Sequence, residues 1–164
     1  MDDTPRERPR YFTGQMLTPE DLDQEQEYFR ERARRHNRLL HGWGVVDGLG
    51  VEQGPGKNRL TIGPGYALDP HGDEIVVERP VTVDLSARLR GKRLHVAVRY
   101  DERPSRPVPT PTGEEHTRVC ETFAVEIVAR VPTKSRLVFL AELELGPAGR
   151  IVSIGAGRRR ELPG

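Results

Sequence analysis

The chain has 164 residues, and its 26 Lys+Arg stand against 25 Asp+Glu for a formal net charge of +1. That length fits one domain, and the charge balance excludes bulk attraction to nucleic acid or anionic lipid, leaving any basic function local. The single cysteine, Cys120, excludes an intrachain disulfide, and no stretch approaches the ~20 apolar residues of a membrane span, so the sequence predicts cytoplasmic synthesis and assembly without membrane insertion.

Residues 1–9 read as a flexible arm, because Pro5, Pro9 and a run of charges leave nothing to bury. Order is expected from Tyr11-Phe12 onward. Thr18-Pro19-Glu20-Asp21 is a helix start, with Thr18 as cap, Pro19 at the first helical position and two carboxylates at the positive end of the helix dipole. The helix is predicted to run to about Leu40 and to stop at Gly42. Leu22, Phe29, Ala33 and Leu40 follow a three-to-four spacing that brings Gln26 and His36 to the same side, and this face is expected to pack. Acidic residues fill the first half (Glu20, Asp21, Asp23, Glu25, Glu27) and arginines the second (Arg30, Arg32, Arg34, Arg35, Arg38), which complements the dipole and allows a Glu27–Arg30 pair.

From Gly44 the period changes to two, and β-branched residues dominate. Eight strands are predicted, at 45–53, 59–62, 74–77, 81–85, 93–100, 119–131, 137–145 and 151–154, separated by turns rich in Gly, Pro and Asp. Gly42, Gly44, Gly48 and Gly50 suit a strand that bends or lets another backbone approach, and they do not form a dinucleotide-binding loop. Five Pro or Gly residues between Glu102 and Glu115 predict a long extended loop, read either as a solvated excursion or as a docking arm. The resulting organisation is an arm at 1–9, an N-terminal segment with a docking helix at 10–43, and a β domain at 44–164 holding the Pro-rich loop at 102–115. The fold class is mainly β: an N-terminal α-helix followed by an antiparallel β-sandwich or barrel-like domain.

Residues with reactive or ligating chemistry are sparse. His36, His41, His71, His95 and His116 lack the paired spacing of a zinc site, and His41 is read as a helix C-terminal cap. Asp69-Pro70-His71-Gly72-Asp73-Glu74 is rich in oxygen donors yet lacks the EF-hand order, so a hairpin turn is predicted there. Cys120 reads as a structural thiol in a strand, and a dyad with His116 is its reactive alternative. Arg30 to Arg38 is the strongest basic feature, but Glu31 and the acidic first half of the helix favour a solvated or partner-facing helix over a nucleic-acid reader. Arg158-Arg159-Arg160 reads as a solvated tail, with pinning of the terminus to an acidic neighbour as the other possibility. No catalytic, cofactor-binding or metal-binding residue is assigned, and no cofactor is expected.

Tyr11-Phe12-Thr13-Gly14-Gln15-Met16-Leu17-Thr18 with Asp21-Leu22, Glu25-Gln26 and Tyr28, then Arg35-His36-Asn37-Arg38-Leu39-Leu40-His41-Gly42-Trp43-Gly44-Val45-Val46 and Gly48-Leu49, resembles an N-terminal module of structural proteins of phage tails and phage-tail-like contractile injection particles. Leu60-Thr61-Ile62-Gly63-Pro64-Gly65-Tyr66-Ala67-Leu68-Asp69 and Gly72-Asp73-Glu74-Ile75-Val76-Val77 is similar to a hairpin of such proteins. The likeness covers residues 10–78 closely and the rest weakly. A shaft repeat and a receptor-binding tip are missing, so the resemblance implies a compact baseplate, adaptor or spike-associated subunit and not a host-binding fibre. It further implies a non-enzymatic role, other particle subunits in repeated copies as partners, no nucleic-acid partner, and a place in a particle that is assembled in the cytoplasm and open to release. Tyr11, Phe12, Arg30, Arg34, Arg35, Arg38 and Trp43 are the candidate partner-docking residues, with intramolecular packing as the other reading for the three aromatics. Two rival functions are a β module binding a glycan or cell-surface ligand, and a small hydrolase using Cys120 or the carboxylates at Asp69 and Asp73.

Overall fold

The computed structural model describes residues 6–56, 58–85, 93–132, 135–147 and 149–163. Residues 1–5, most of the expected arm, lie outside these. Helix α1 (Pro19–His36) continues into one π-helical turn, Asn37–His41. Among the described residues ten strands follow: β1 (Gly44–Gly48), β2 (Val51–Gln53), β3 (Arg59–Ile62), β4 (Gly65–Leu68), β5 (Glu74–Val77), β6 (Val81–Asp84), β7 (Arg93–Thr110), β8 (Gly113–Val128), β9 (Val138–Leu145) and β10 (Ile151–Gly155). They form three antiparallel sheets in the orders β1-β4-β5, β2-β3-β6 and β10-β9-β7-β8. The molecule is mainly β with one N-terminal helix, as expected.

The helix starts where its sequence dictates. The Asp21 amide donates to Thr18 Oγ1 at 3.4 Å and the Thr18 amide donates to Asp21 Oδ2 at 3.0 Å, a reciprocal capping box with Pro19 just inside it. No helix among the described residues is long and apolar enough to cross a membrane.

The stretch expected as one strand at 45–53 is two strands in different sheets. Gly48 (φ 63°) and the fully buried Leu49 (φ 54°) turn the chain between them. Gly48 also faces Gly65 across the β1–β4 ladder, and a Cβ at Gly48 would run into the Pro64 carbonyl oxygen. Leu49 joins Leu60 and Ile62 of β3, Ile75 and Val77 of β5, Leu94, Val96 and Val98 of β7, and Leu140 and Leu143 of β9 in one core drawn from all three sheets.

The Pro-rich stretch at 102–115 is no loop. It is the distal half of a long hairpin in which β7 and β8 stay in register from His95↔Val128 to Thr110↔Gly113. Phase makes two of its prolines harmless: counted from the two-residue turn closed by Thr110 and Gly113, the nitrogens of Pro107 and Pro109 face the outer edge and remove no bond from the ladder, whereas Pro104, opposite Val119, falls in the other phase and costs the ladder one donor. Strand β9 pairs only with the first part of β7, up to Val98. Residues 103–110 and their partners on β8 therefore form a two-stranded ribbon about 25 Å long.

Replacing Gly48 with Val is expected to force β1 and β4 apart at their closest approach and to cost roughly 2 kcal/mol. A thermal melt should show a fall of about 4–8 °C, and an unchanged melting temperature would refute the close approach.

Candidate functional site

The surface with the most concentrated chemistry is the seat of α1 on the β4–β5 turn. Asp69 closes the turn by accepting from the amides of His71 (2.8 Å) and Asp73 (3.0 Å) through Oδ1. Both carboxylates are buried. Two arginines from distant segments neutralise them. Arg34 Nε of α1 donates to Asp73 Oδ1 at 2.5 Å, and Arg136 donates from Nε to Asp69 Oδ2 at 3.1 Å and from Nη2 to Asp73 Oδ2. Burial pulls the Arg34 guanidinium down, but the carboxylates of Glu31 and Glu27 outweigh it and hold the group above its ordinary value, charged throughout.

Polar contacts complete the seat. Asn37 Nδ2 donates to the Gly72 carbonyl (3.0 Å), Arg38 Nη1 to the His71 carbonyl (2.8 Å), and Arg30 to Glu102, which also accepts from the Tyr100 hydroxyl at 2.8 Å. Gly72 (φ 98°) lets the helix backbone in, for a Cβ there would fall on the Arg34 carbonyl oxygen. Beside the seat, Tyr66 on β4 has its phenol pushed up to about 12, by burial first and then by the Glu74 carboxylate.

This arrangement reverses the expected packing of the helix. No residue of α1 is buried, and Leu22, Phe29 and Leu40, on the stripe predicted to pack, are exposed. The Arg34–Asp73 pair fixes the rotation, because a buried carboxylate needs a cation and Arg34 reaches it only with the Arg30–Arg34–Arg38 side of the helix turned to the β4–β5 turn.

The candidate docking residues therefore divide. Arg30, Arg34 and Arg38 bond to the β body, and Arg35 lines a groove with Arg6, Glu7, Tyr28 and Glu31. Phe12 is exposed, and Tyr11, its hydroxyl donating to Glu25 Oε2 at 3.1 Å, is partly so. Trp43 is half-buried beneath the Arg160 guanidinium, 4.7 Å from the ring centroid. His36 and His41 meet each other at 3.3 Å between their Nε2 atoms. Glu27 and Arg30 pair as expected, at 3.8 Å.

Two further expectations are corrected. The Arg158–Arg160 run is not a solvated tail. Arg159 donates to the carbonyls of Gly48 (2.7 Å) and Leu49 (2.9 Å), while the Arg160 carbonyl accepts from the Val45 amide at 2.8 Å. Cys120 lies in β8 but is exposed, and His116, four residues along the same extended strand, is about 13 Å away, so the two form no dyad. Sequence reasoning missed Arg136 and Glu102 altogether. The Asp69-x-x-x-Asp73 spacing across a tight turn was the one signal that could have marked the seat.

No protein-family model matches the sequence, and no curated protein matches it. Among solved structures, the chain is similar to one from the TssK-TssF-TssG baseplate subcomplex of the type VI secretion system, with a TM-score of 0.58, 17% identity, and coverage of 88% of this chain and 58% of that one. It is also similar to TssK in a crystal structure (TM-score 0.54, 11% identity, 88% and 40% covered) and to a chain of the type VI secretion baseplate complex (0.50, 16%, 90% and 57%). The chain spans about half the length of these structures. At such identities the likeness is one of fold: nearly all of this chain adopts an architecture found in proteins of type VI secretion baseplates.

Asp73→Asn removes the buried carboxylate that Arg34 and Arg136 share and is expected to cost about 3 kcal/mol. Hydrogen exchange should then show α1 amides losing protection while those of β7 and β9 keep theirs; uniform loss or no loss would refute the seat. Because the folded state holds the Tyr66 proton more tightly than the unfolded chain, the contribution of Tyr66 to stability is fully present below pH 10 and is lost between pH 10 and about 12. Tyr66→Phe should flatten that part of the alkaline stability profile, and an unaltered profile would count against the shift.

Proposed function

We propose that this chain is a non-enzymatic structural subunit of a phage-tail-like contractile injection particle, in a baseplate, adaptor or spike-associated position, working through protein-protein docking. The observation that carries the reading is the fold likeness to chains of type VI secretion baseplates across 88–90% of this chain. The distribution of polar groups supports it. Asp69 and Asp73, the carboxylates a hydrolase would need, are neutralised by Arg34 and Arg136, and Cys120 stands on an exposed ribbon without its histidine. A glycan-binding face would need an open aromatic platform, whereas the one Trp, Trp43, carries Arg160 on its ring.

Docking elements are plentiful for an assembly role. Phe12, Met16, Leu17, Leu39 and Leu40 are exposed around the helix ends, and the β7–β8 ribbon reaches out from the body. In this reading the partners are other subunits of the particle, present in repeated copies, and assembly takes place in the cytoplasm.

Sedimentation of a native lysate, with mass spectrometry of the fractions, tests the proposal. The chain is expected in the fast fraction with sheath-like and tube-like proteins. A chain that sediments alone at 18.5 kDa while such particles are present in the same lysate would overturn it.

A further inference from the structure

Helix α1 turns its body-facing side, Arg30, Arg34 and Asn37, toward the β4–β5 turn and β7. On another side Leu22, Gln26, Phe29, Ala33, His36 and Leu40 recur at alternating intervals of four and three and are all exposed. That interval is the seam of paired helices, and Leu22, Phe29 and Leu40 retain 44%, 51% and 71% of their surface. A seam of this kind calls for a second helix, and the charges of α1 say which. Its first half is acidic and its second basic, so a partner lying parallel with the same charge order would be repelled, whereas one lying antiparallel would be attracted throughout. The partner must be acidic where α1 is basic and basic where it is acidic. A reversed copy of α1 meets that requirement.

We propose that α1 pairs antiparallel with α1 of a second copy of this chain across a two-fold axis. An interface of this type is self-complementary, each contact occurring twice. The register that sets Leu22 against Ala33 and Gln26 against Phe29 of the second copy also places Glu25 opposite Arg32. Carried to the helix ends, it brings the exposed Met16-Leu17 segment level with the exposed Leu39 and Leu40 of the other copy, so the apolar surface at both ends is covered by the same movement. Pairing requires only a second copy and not the particle, so it stands or falls separately from the assembly role proposed above.

Sedimentation equilibrium on the purified full chain tests the pairing. The wild type is expected to be a dimer with a micromolar Kd or tighter. Glu25→Arg and Arg32→Glu each place like charges across the seam and should raise that Kd roughly tenfold or more, with an unchanged far-UV spectrum because both side chains lie away from the seat. The double variant, carrying both reversals, restores opposite charges and should recover the wild-type Kd. A monomeric wild type, single variants that dimerise normally, or a double variant that stays monomeric would each overturn the proposal.

Discussion

Two buried carboxylates organise this molecule. Asp69 and Asp73 sit at one tight turn, both withdrawn from water, and a desolvated carboxylate is tolerated only with cations and donors around it. The cations come from opposite ends of the chain: Arg34 from the helix before the first strand, and Arg136 from the segment leading into β9. Three separate parts of the sequence are thereby fixed to one point. Such a network adds less to stability than its close contacts suggest, because desolvation offsets much of the attraction. Its larger effect is on geometry: it sets the rotation of α1 about its own axis, and that rotation determines which residues meet solvent.

Ordinarily an amphipathic helix on a β body is oriented by its apolar face. Here the charged side faces inward, with Gly72 giving the helix backbone room to approach, and the apolar stripe is turned outward. The body has its own core, drawn from all three sheets, and takes no apolar residue from α1. Built this way, the protein keeps its folding core separate from the outward face of its helix.

Much of this was legible in the chain and some was not, for identifiable reasons. Thr18, Pro19 and Asp21 announce the helix because capping is a local interaction, and the alternation of Leu94, Val96 and Val98 announces β7 because one face of that strand is buried. The stripe on α1 was equally plain. Its direction was not, since periodicity says that residues share a face and cannot say what that face meets. Strand β4 went unread because Gly65-Tyr66-Ala67-Leu68 is short and lacks alternation. The prolines at 104–111 predict an extended loop, yet what a proline does in a strand depends on which way its nitrogen points, and that depends on a turn register set at Thr110 and Gly113. Arg136 carried no local signal at all, because its role exists only once the β4–β5 turn has formed beside it. The seven candidate docking residues were chosen for charge and aromaticity, and the buried carboxylates then drew Arg34 into the fold's interior contacts, leaving Phe12 among the exposed ones.

The tie between the chain's last residues and its first strand bears on how the protein is made. The Val45 amide and carbonyl bond to Arg160 and Leu162, and Arg159 holds the carbonyls of Gly48 and Leu49. Synthesis runs from the N-terminus, so β1 emerges long before the segment that flanks it. Until residues 159–162 are made, its outer edge, with bare N–H and C=O groups, stands open as a template for any passing strand. The nascent chain is thus open to wrong pairing at β1 until residues 159–162 have emerged and docked, and their docking is the event that closes the edge.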